Sequence, residues 1–424
     1  MTPEERRRKL QEIADRVVDR LDREWPAEDA HLNELEDLSE RVGRELMREV
    51  TTELIQERSR RKPGNQTTCP QCRGTARFVG YAAHAYVTLH GRLPVRRAYF
   101  HCRRCRAGSC PLDATWGLGP GHTSPSVQAI VADLATDPSY VRLPPRLLRL
   151  RFPFTVCVKT AEQIAQHAGA AVQAAPPEIT TRATRPLAAA VDGVIVPTHT
   201  GGKEVRAGVV YEPDWEAGRT PDECGSLRKE YLGTFGNREE LVAEVCRRVE
   251  RRRPTPETPV AALGDGAHWI WEGFAQHLPH RVEILDFYHA CEHLATVAAA
   301  RFGAGTEVAR SWMRTMKQEW LEIGPWELLR QLEAWQPETE AAQETRRQEL
   351  GYFQNNRGRM QYPKYLEEGF PIGSGAVEGA CKHLVSARFK QAGMRWKCPT
   401  GEPLLHLRAA LLTKPDLDLR AYVS

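Results

Sequence analysis

Two CxxC pairs constrain the fold of this chain more than any other sequence feature. They read CPQC at 69–72 and CRRC at 102–105, and the segment 85–100 between them alternates in polarity around a break at His90-Gly91. This pattern predicts a β-hairpin that joins two cysteine-bearing turns. Four thiolates placed in this way can close a tetrahedron around Zn²⁺. We therefore predict a zinc ribbon at 63–115 with a structural zinc bound by Cys69, Cys72, Cys102 and Cys105.

Other interpretations of these cysteines remain open from sequence alone. His84, His101 and Cys110 lie near enough along the chain to replace one ligand, and two unrelated turns with buried cysteines would give the same spacing. Redox chemistry is disfavoured because nothing around either pair resembles a βαβ unit. The total of eleven cysteines is odd and scattered, which favours reduced thiols over a disulfide framework. A zinc site with four protein ligands has no open position, so we assign it no catalysis.

Helical patterns flank the predicted ribbon. Residues 1–62 are rich in Glu, Asp and Arg and place apolar residues at helical spacing, which predicts two helices that pack on the rest of the chain or on a second copy. Residues 116–175 are also predicted to be helical. Within them, 155–171 has the character of the second helix of a helix-turn-helix, with Lys159 facing DNA. An ordinary amphipathic helix is the alternative.

The second half of the chain has a different order of elements. A Pro- and Thr-rich stretch at 174–186 marks a domain boundary. The patterns that follow predict strands at 187–197, 203–212 and 229–235, a helix at 237–252, a strand ending at Asp265, a short helix, and a strand at 281–286. This is the element order of an α/β RNase H-like core, which we place at 186–289 and 370–412. Residues 290–369 have helical spacing throughout and predict an all-helical insertion. Pro399 and Pro403 make the last helix of the core less regular than expected.

Three acidic residues stand at special places in this predicted core. Two apolar runs, 187-LAAAVDG and 260-VAALGDG, each deliver an aspartate before a glycine. Asp-Gly is also a common hairpin turn, but the first and fourth strands are neighbours in an RNase H-like sheet. Asp192 and Asp265 should therefore meet, with Glu378 in the first turn of the helix that follows the insertion. An acid at that position also suits a helix dipole.

Clustered carboxylates stay ionised only when cations neutralise them. Mg²⁺ or Mn²⁺ suits Asp192, Asp265 and Glu378 because these ions prefer oxygen ligands and accept phosphate oxygens. The sequence thus predicts two ions that assist phosphoryl displacement. The net charge is only +4, yet a basic run follows Glu378. Its members Lys382, Arg388 and Arg395 are predicted to contact DNA phosphates, a solvated helix face being the alternative.

A set of motifs across the chain resembles one family. It comprises VDG (191–193), LGDGAHWIW (263–271), ILDFYHACEHL (284–294), YFQNNRGRMQYPKY (352–365), IGSGAVEG (372–379) and GMRW (393–396). In this order they resemble the Kra-type family of bacterial insertion-sequence transposases, relatives of the Mutator-like group. The resemblance extends over nearly the whole chain from the CxxC pairs onward.

The resemblance implies a DDE transposase that binds the terminal repeats of its element and catalyses metal-dependent DNA cleavage and strand transfer. The family's triad falls on Asp192, Asp265 and Glu378. Asp286 and His289 match an Asp-x-x-His pair. We expect this pair to position DNA or to hold the three acids in place without binding the metal ions itself. Double-stranded DNA, both element end and target, is the implied partner, with a homo-oligomer assembled on it.

Two other functions remain compatible with these features. One is an inactive zinc-ribbon DNA-binding protein derived from a transposase, and the other is an RNase H-like nuclease that cuts without joining. No apolar run has membrane-spanning length, and the N-terminus does not resemble a signal peptide. We therefore expect a cytoplasmic bacterial protein associated with the nucleoid.

Overall fold

A computed structural model describes residues 2–59, 64–137, 139–215 and 224–423, except for the side chain of residue 149. The chain divides into two compact units, Met1–Ala168 with Asp418–Ser424, and Gly169–Leu417. The boundary predicted between residues 62 and 63 lies outside the described residues. Within the described ranges, the structure contains no helix that is both long and apolar enough to cross a membrane.

The first unit begins with the two predicted helices, α1 (Pro3–Arg23) and α2 (Leu32–Ser59). The hydroxyl of Thr2 and the carboxylate of Glu5 form a capping box that starts α1. The apolar contact between the helices is small, since Ile13 is the only buried residue of α1. Ion pairs add to it, and they join Lys9 to Glu53, Arg16 to Glu49 and Arg20 to Glu45. The charged faces therefore contact each other as well as solvent.

An antiparallel sheet follows, in the order β1-β2-β3-β4. Its strands are β1 (Gln66–Thr68), β2 (Thr75–Thr88), β3 (Gly91–Cys102) and β4 (Gly108–Ser109). The predicted hairpin is confirmed and is longer than expected, since β2 starts at Thr75. Gly91 opens β3 with φ 94°, a conformation that glycine adopts without strain. Four helices follow the sheet: α3 (Pro111–Thr115), α4 (Pro125–Ala135), α5 (Leu143–Arg149) and α6 (Val158–Ala174). The division between the two units falls within α6.

The second unit contains a five-stranded sheet whose elements follow the predicted order. They are β5 (Leu187–Thr198), β6 (Gly201–Asp214), β7 (Gly225–Thr234), α7 (Arg238–Arg252), β8 (Val260–Gly264), α8 (His268–His277) and β9 (Arg281–Leu285). The strands are arranged β7-β6-β5-β8-β9. β6 is antiparallel to both of its neighbours, whereas β5, β8 and β9 are parallel. The first and fourth strands of this unit are therefore adjacent, as predicted.

Neither Asp-Gly pair forms a hairpin turn. Asp192 and Gly193 both lie inside β5, which continues to Thr198 before it turns back into β6. Asp265 and Gly266 follow β8 and lead into α8, with φ 102° at the glycine. The hairpin interpretation of both pairs is wrong, because the first pair lies inside a strand and the second is followed by a helix.

The predicted insertion is helical. Its helices are α9 (Phe287–Phe302), α10 (Glu307–Glu322), α11 (Trp326–Ala334), α12 (Glu340–Asn356) and α13 (Tyr362–Glu367). They pack around Trp320, which is fully buried and whose ring centre lies 6.1 Å from that of Phe287 and 5.7 Å from that of Phe353. The aromatic residues thus form a separate core for this part of the unit.

The chain then returns to the sheet through α14 (Gly375–Ala380), a π-helical turn (Cys381–Ser386), α15 (Ala387–Phe389) and α16 (Cys398–Thr413). α16 forms in spite of its prolines. Pro399 lies in the first turn, where the missing N–H has no partner to lose. Pro403 lies inside the helix, which packs along β7.

Candidate metal and carboxylate sites

The two CxxC turns of the first unit have the same backbone conformation. The N–H of Cys69 donates to the carbonyl of Gly74 at 2.7 Å, and the N–H of Cys102 donates to the carbonyl of Ala107 at 2.9 Å. The residue after the second cysteine of each turn, Arg73 or Arg106, has φ 59°. Two like turns at the ends of β2 and β3 therefore present four thiols to one point.

The sulfur positions fit a zinc ion. Sγ of Cys69 lies 3.5 Å from that of Cys105, and Sγ of Cys72 lies 3.6 Å from that of Cys102. A zinc–sulfur bond of about 2.3 Å implies sulfur separations of roughly 3.8 Å in a tetrahedron, whereas a disulfide requires about 2 Å. All four ligand atoms lie within 4.8 Å of one another. The predicted ligand set is thus brought together as a cluster that can bind zinc.

The alternative ligands do not join this cluster. In the described parts of the chain, the four cysteines alone form a group of three or more metal-binding side chains with such close ligand atoms. The ring of His84 instead lies 3.7 Å from that of His122. Cys110 precedes α3 at its N-cap position.

Backbone amides favour the thiolate form of two of the ligands. The N–H of Cys72 lowers the pKa of Cys69, and the N–H of Cys105 lowers the pKa of Cys102 to about 7. The N–H of Ala107 acts in the same direction on Cys105, but burial and the three other sulfurs outweigh it and raise the pKa of that thiol to about 12. Four thiolates at one point require a cation.

In the second unit, strand register brings three aspartates to one level. Ala190 of β5 pairs with Leu263 of β8, which pairs in turn with Ile284 of β9. Two residues beyond this row lie Asp192, Asp265 and Asp286. Because the three strands are parallel, the aspartates follow one another across the same edge of the sheet.

Asp192 is held from two sides. Its Oδ1 accepts a hydrogen bond from the N–H of Gly193 at 2.6 Å, and its Oδ2 lies 3.5 Å from Sγ of Cys381 in the π-helical turn. Burial raises the pKa of Asp192, and the charge of Asp265 raises it further, although the Gly193 amide acts in the opposite direction. The charged form of this carboxylate is therefore disfavoured, mainly by burial and further by the charge of Asp265.

Glu378 belongs to the same electrostatic neighbourhood. It is exposed in the first turn of α14. Partial desolvation of its carboxyl raises the pKa of Glu378, as do the charges of Asp286 and Asp192. Ser374 occupies the N-cap position of α14, but its side chain makes no capping hydrogen bond to the helix.

Asp286 connects the two segments that carry acidic residues. Its Oδ1 accepts from the N–H of His289 at 2.5 Å and caps α9, while its Oδ2 accepts from the N–H of Ser374. The neighbouring N–H of Phe287 donates to the carbonyl of Ile372 at 2.9 Å. With only 1% of its surface exposed, Asp286 ties the loop before Glu378 to the end of β9.

The three carboxylates predicted to bind metal are less closely grouped than the four cysteines. The carboxylates of Asp192, Asp265 and Glu378 do not form as tight a group as the cysteines do, since none of their oxygens enters a cluster within 4.8 Å among the described residues. Strand register relates Asp192 to Asp265, the charge of Asp265 raises the pKa of Asp192, and the charge of Asp192 raises the pKa of Glu378. His289 is half-buried beside them and lowers the pKa of Asp192.

The predicted DNA-contacting residues differ in exposure. Lys159, Lys382 and Arg395 are exposed. Arg388 is fully buried, with its guanidinium 4.9 Å from the ring centre of Trp396, so its prediction as a surface contact is wrong. The π-helical turn changes the helical phase of the residues after it, and this phase cannot be read from an α-helical pattern.

Sequence reasoning missed two residues beside the acids. Cys381 contacts Asp192, and the hydroxyl of Tyr352 donates to the carbonyl of Asp265 at 2.9 Å. Tyr352 belonged to a motif that carried the family resemblance, but no local pattern indicated its contact. Comparison with models of known protein families gave no match, and a search among curated proteins found no similar one.

Proposed function

We propose that this chain is a DDE transposase whose second unit has an RNase H-like catalytic core. The observation that carries the proposal is the row of Asp192, Asp265 and Asp286 across three parallel strands, with Glu378 tied to it through Asp286. Strand order β7-β6-β5-β8-β9 with an antiparallel second strand supports the RNase H-like assignment. The helical insertion between β9 and Glu378 agrees with the resemblance described above.

The donor set suits divalent cations. Asp192, Asp265 and Glu378 offer only carboxylate oxygens, and the raised pKa of two of them results partly from like charges that a cation would neutralise. We assign these three residues as the ligands of two Mg²⁺ or Mn²⁺ ions. When bound there, such ions would supply activation of a nucleophile and stabilisation of the leaving oxygen in a phosphoryl displacement.

The remaining residues bind and orient. The exposed Lys382 and Arg395 follow Glu378 and are suited to DNA phosphates. Asp286 keeps the Glu378 segment at the edge of the sheet, and His289 is half-buried near Asp192. In the first unit, the cysteine cluster would hold a structural zinc, and the ribbon with the exposed Lys159 of α6 would bind element ends.

Nicking of a labelled element end tests the proposal. The wild type should nick in Mg²⁺ or Mn²⁺, stop reversibly in chelator, and transfer the freed 3′ end to target DNA. Asp265→Asn keeps the side-chain volume and removes a cation ligand, so nicking should fall by at least about a hundredfold. Asp192→Asn and Glu378→Gln should behave alike.

Matched controls and other outcomes make this test decisive. The exposed Asp416→Asn, remote from the carboxylates in sequence, should leave nicking unchanged. Nicking without strand transfer would instead identify an RNase H-like nuclease, and end-binding without metal-dependent nicking would identify an inactive DNA-binding derivative. Near wild-type nicking by any of the three variants would remove that residue from the site.

A further inference from the structure

A tyrosine of the helical insertion lies against the turn that carries Asp265. The hydroxyl of Tyr352, on α12, donates to the backbone carbonyl of Asp265 at 2.9 Å. A Cβ on Gly266 would lie 2.9 Å from Cε2 of this ring, so ring and turn are in close contact. The turn is also closed internally, since the N–H of Ala267 donates to Oδ1 of Asp265 at 2.9 Å.

The tyrosine is itself fixed by its neighbours. Its ring stacks on that of His293 with centres 3.7 Å apart and planes 15° apart. Nδ1 of His293 lies 2.7 Å from Oε2 of Glu349, one turn before Tyr352 on α12. Three side chains of α9 and α12 therefore form a continuous support for the Asp265 turn.

The same part of the insertion is anchored to the sheet nearby. Nε of Arg359 donates to Oε2 of Glu283 on β9 at 2.6 Å, and its guanidinium lies 4.5 Å from the ring centre of Trp271 on α8. Arg359 also donates to Oδ1 of Asn356 at 3.2 Å. The C-terminal end of α12 thus has a defined position relative to β8 and β9.

The hydroxyl of Tyr352 acts as a hydrogen-bond donor. Burial raises the pKa of this phenol, and the charges of Asp265 and Asp286 raise it further. A protonated hydroxyl that bonds the carbonyl of Asp265 restricts the backbone from which that carboxylate extends. A partner behind a metal-binding side chain orients it and affects both affinity and activity.

We propose that Tyr352 is a positioning residue for Asp265, so that the helical insertion sets the orientation of a carboxylate of the sheet. The proposal rests on the proposed function for its catalytic consequence, but the structural link itself does not. It deepens that function by giving the insertion a part in assembling the carboxylate site.

Tyr352→Phe removes one hydroxyl and keeps the stacked ring. We expect nicking of the element end to fall about 10- to 100-fold, the usual loss when a hydrogen bond that orients a metal-binding residue is removed. The Mn²⁺ concentration for half-maximal nicking should rise by a similar factor, while end-binding stays unchanged. A purely structural role would not move the Mn²⁺ requirement of the folded protein.

Tyr362→Phe is the matched control. Tyr362 is a fully buried tyrosine of the same insertion, and its hydroxyl has no hydrogen-bond partner among the described residues. This variant should nick at the wild-type rate with the wild-type Mn²⁺ requirement. If it loses as much activity as Tyr352→Phe, the effect belongs to the insertion's core and the proposal is overturned.

Hydrogen–deuterium exchange separates this inference from the proposed function. In cation-free protein, Tyr352→Phe removes the donor to the Asp265 carbonyl and so loosens the turn in which the Ala267 N–H donates to Oδ1 of Asp265. Exchange of the 264–268 segment should therefore speed up at least about tenfold, and Tyr362→Phe should not change it. A wild type that never nicks DNA would refute the proposed function, and exchange would then decide the inference alone. Unchanged exchange in Tyr352→Phe would overturn the inference even if nicking is confirmed.

Discussion

At the scale of single residues, charge and hydrogen bonding divide the acids of the second unit into two kinds. Asp286 is buried, and both of its oxygens accept backbone N–H groups, so its charge is used to join α9 to the Ser374 loop. Asp192 and Glu378 have raised pKa values to which neighbouring acids contribute. Residues of the second kind gain most from a bound cation.

The raised pKa of Asp192 predicts a pH-dependent effect on stability. A raised pKa in the folded state means that the stabilising contribution is present at acidic pH, below the ordinary aspartate value, and is lost as the pH rises through the raised value. In chelator at pH 7.5, Asp192→Asn should therefore raise the unfolding temperature, by about 3 °C if roughly 1 kcal/mol is recovered. The gain should shrink as the pH falls toward about 4.

Calorimetry in chelator over this pH range checks the expectation. The exposed Asp416→Asn serves as the control and should show no gain at any pH. Adding Mn²⁺ should stabilise the wild type more than Asp192→Asn. An equal gain at both ends of the pH range would attribute the effect to packing instead of charge.

At the scale of elements, two short turns and one π-helical turn position side chains of the two candidate sites. Each CxxC turn ends in a residue with positive φ, Arg73 or Arg106, which closes the knuckle and points its amides at sulfur. The turn Cys381–Ser386 brings a thiol to Asp192 and turns Arg388 into the core. π-helical turns inside helices occur often at functional sites.

The cysteine knuckles predict metal content. The purified, reduced wild type should retain about one Zn²⁺ per chain. Cys72→Ser replaces one soft ligand of the cluster and should lose most of this zinc, while exchange of the 66–109 segment quickens because metal binding is coupled to folding. Elemental analysis and hydrogen exchange measure the two effects.

Two other cysteines provide controls for the zinc prediction. Cys157 is exposed and outside the cluster, so Cys157→Ser should keep its zinc. Cys110→Ser should keep it as well, because Cys110 does not join the cluster. A folded, reduced wild type without zinc would contradict the assignment of the four cysteines.

At the scale of the whole molecule, the proposed DNA contacts come from both units. Lys159 is exposed on α6 in the first unit, and Lys382 and Arg395 are exposed in the second. Each side chain that neutralises a phosphate adds to the salt dependence of DNA binding, so the contributions of residues from both units should add together.

Salt dependence distinguishes surface contacts from buried ones. Lys159→Ala and Lys382→Ala should each weaken end-binding and reduce the slope of log affinity against log salt by about one. Arg388→Ala should leave the slope unchanged and lower the unfolding temperature, because its side chain is fully buried. Affinities measured from about 50 to 200 mM salt give the slopes.

The exposed Lys364→Ala, on the helical insertion, is the control for these variants. It should keep both the affinity and the slope of the wild type. A loss of slope in Arg388→Ala without loss of stability would restore that residue to the DNA surface. A wild-type slope in Lys159→Ala would remove α6 from the interface.

The sequence by itself determined those features that depend on local spacing. The adjacency of the first and fourth strands of the second unit was inferred from the RNase H-like arrangement that its element order matches. Ligand spacing indicated the four cysteines, and alternation and helical periodicity indicated the order of elements along the second unit and the helical insertion. These predictions succeeded because a strand, a helix or a cysteine turn each requires a characteristic spacing of residue types along the chain. The position of Asp265 directly after a strand followed from the same patterns, whereas Asp192 lies inside β5.

Only the tertiary structure decided which side chains meet. Cys381 contacts Asp192 across 189 residues of sequence, and Tyr352 reaches Asp265 across 87. Asp286 bonds the Ser374 amide across 88 residues, and one π-helical turn determines that Arg388 is buried. Contacts of this kind leave no periodic pattern in the chain, because they depend on how separate elements pack and on the phase with which each helix arrives.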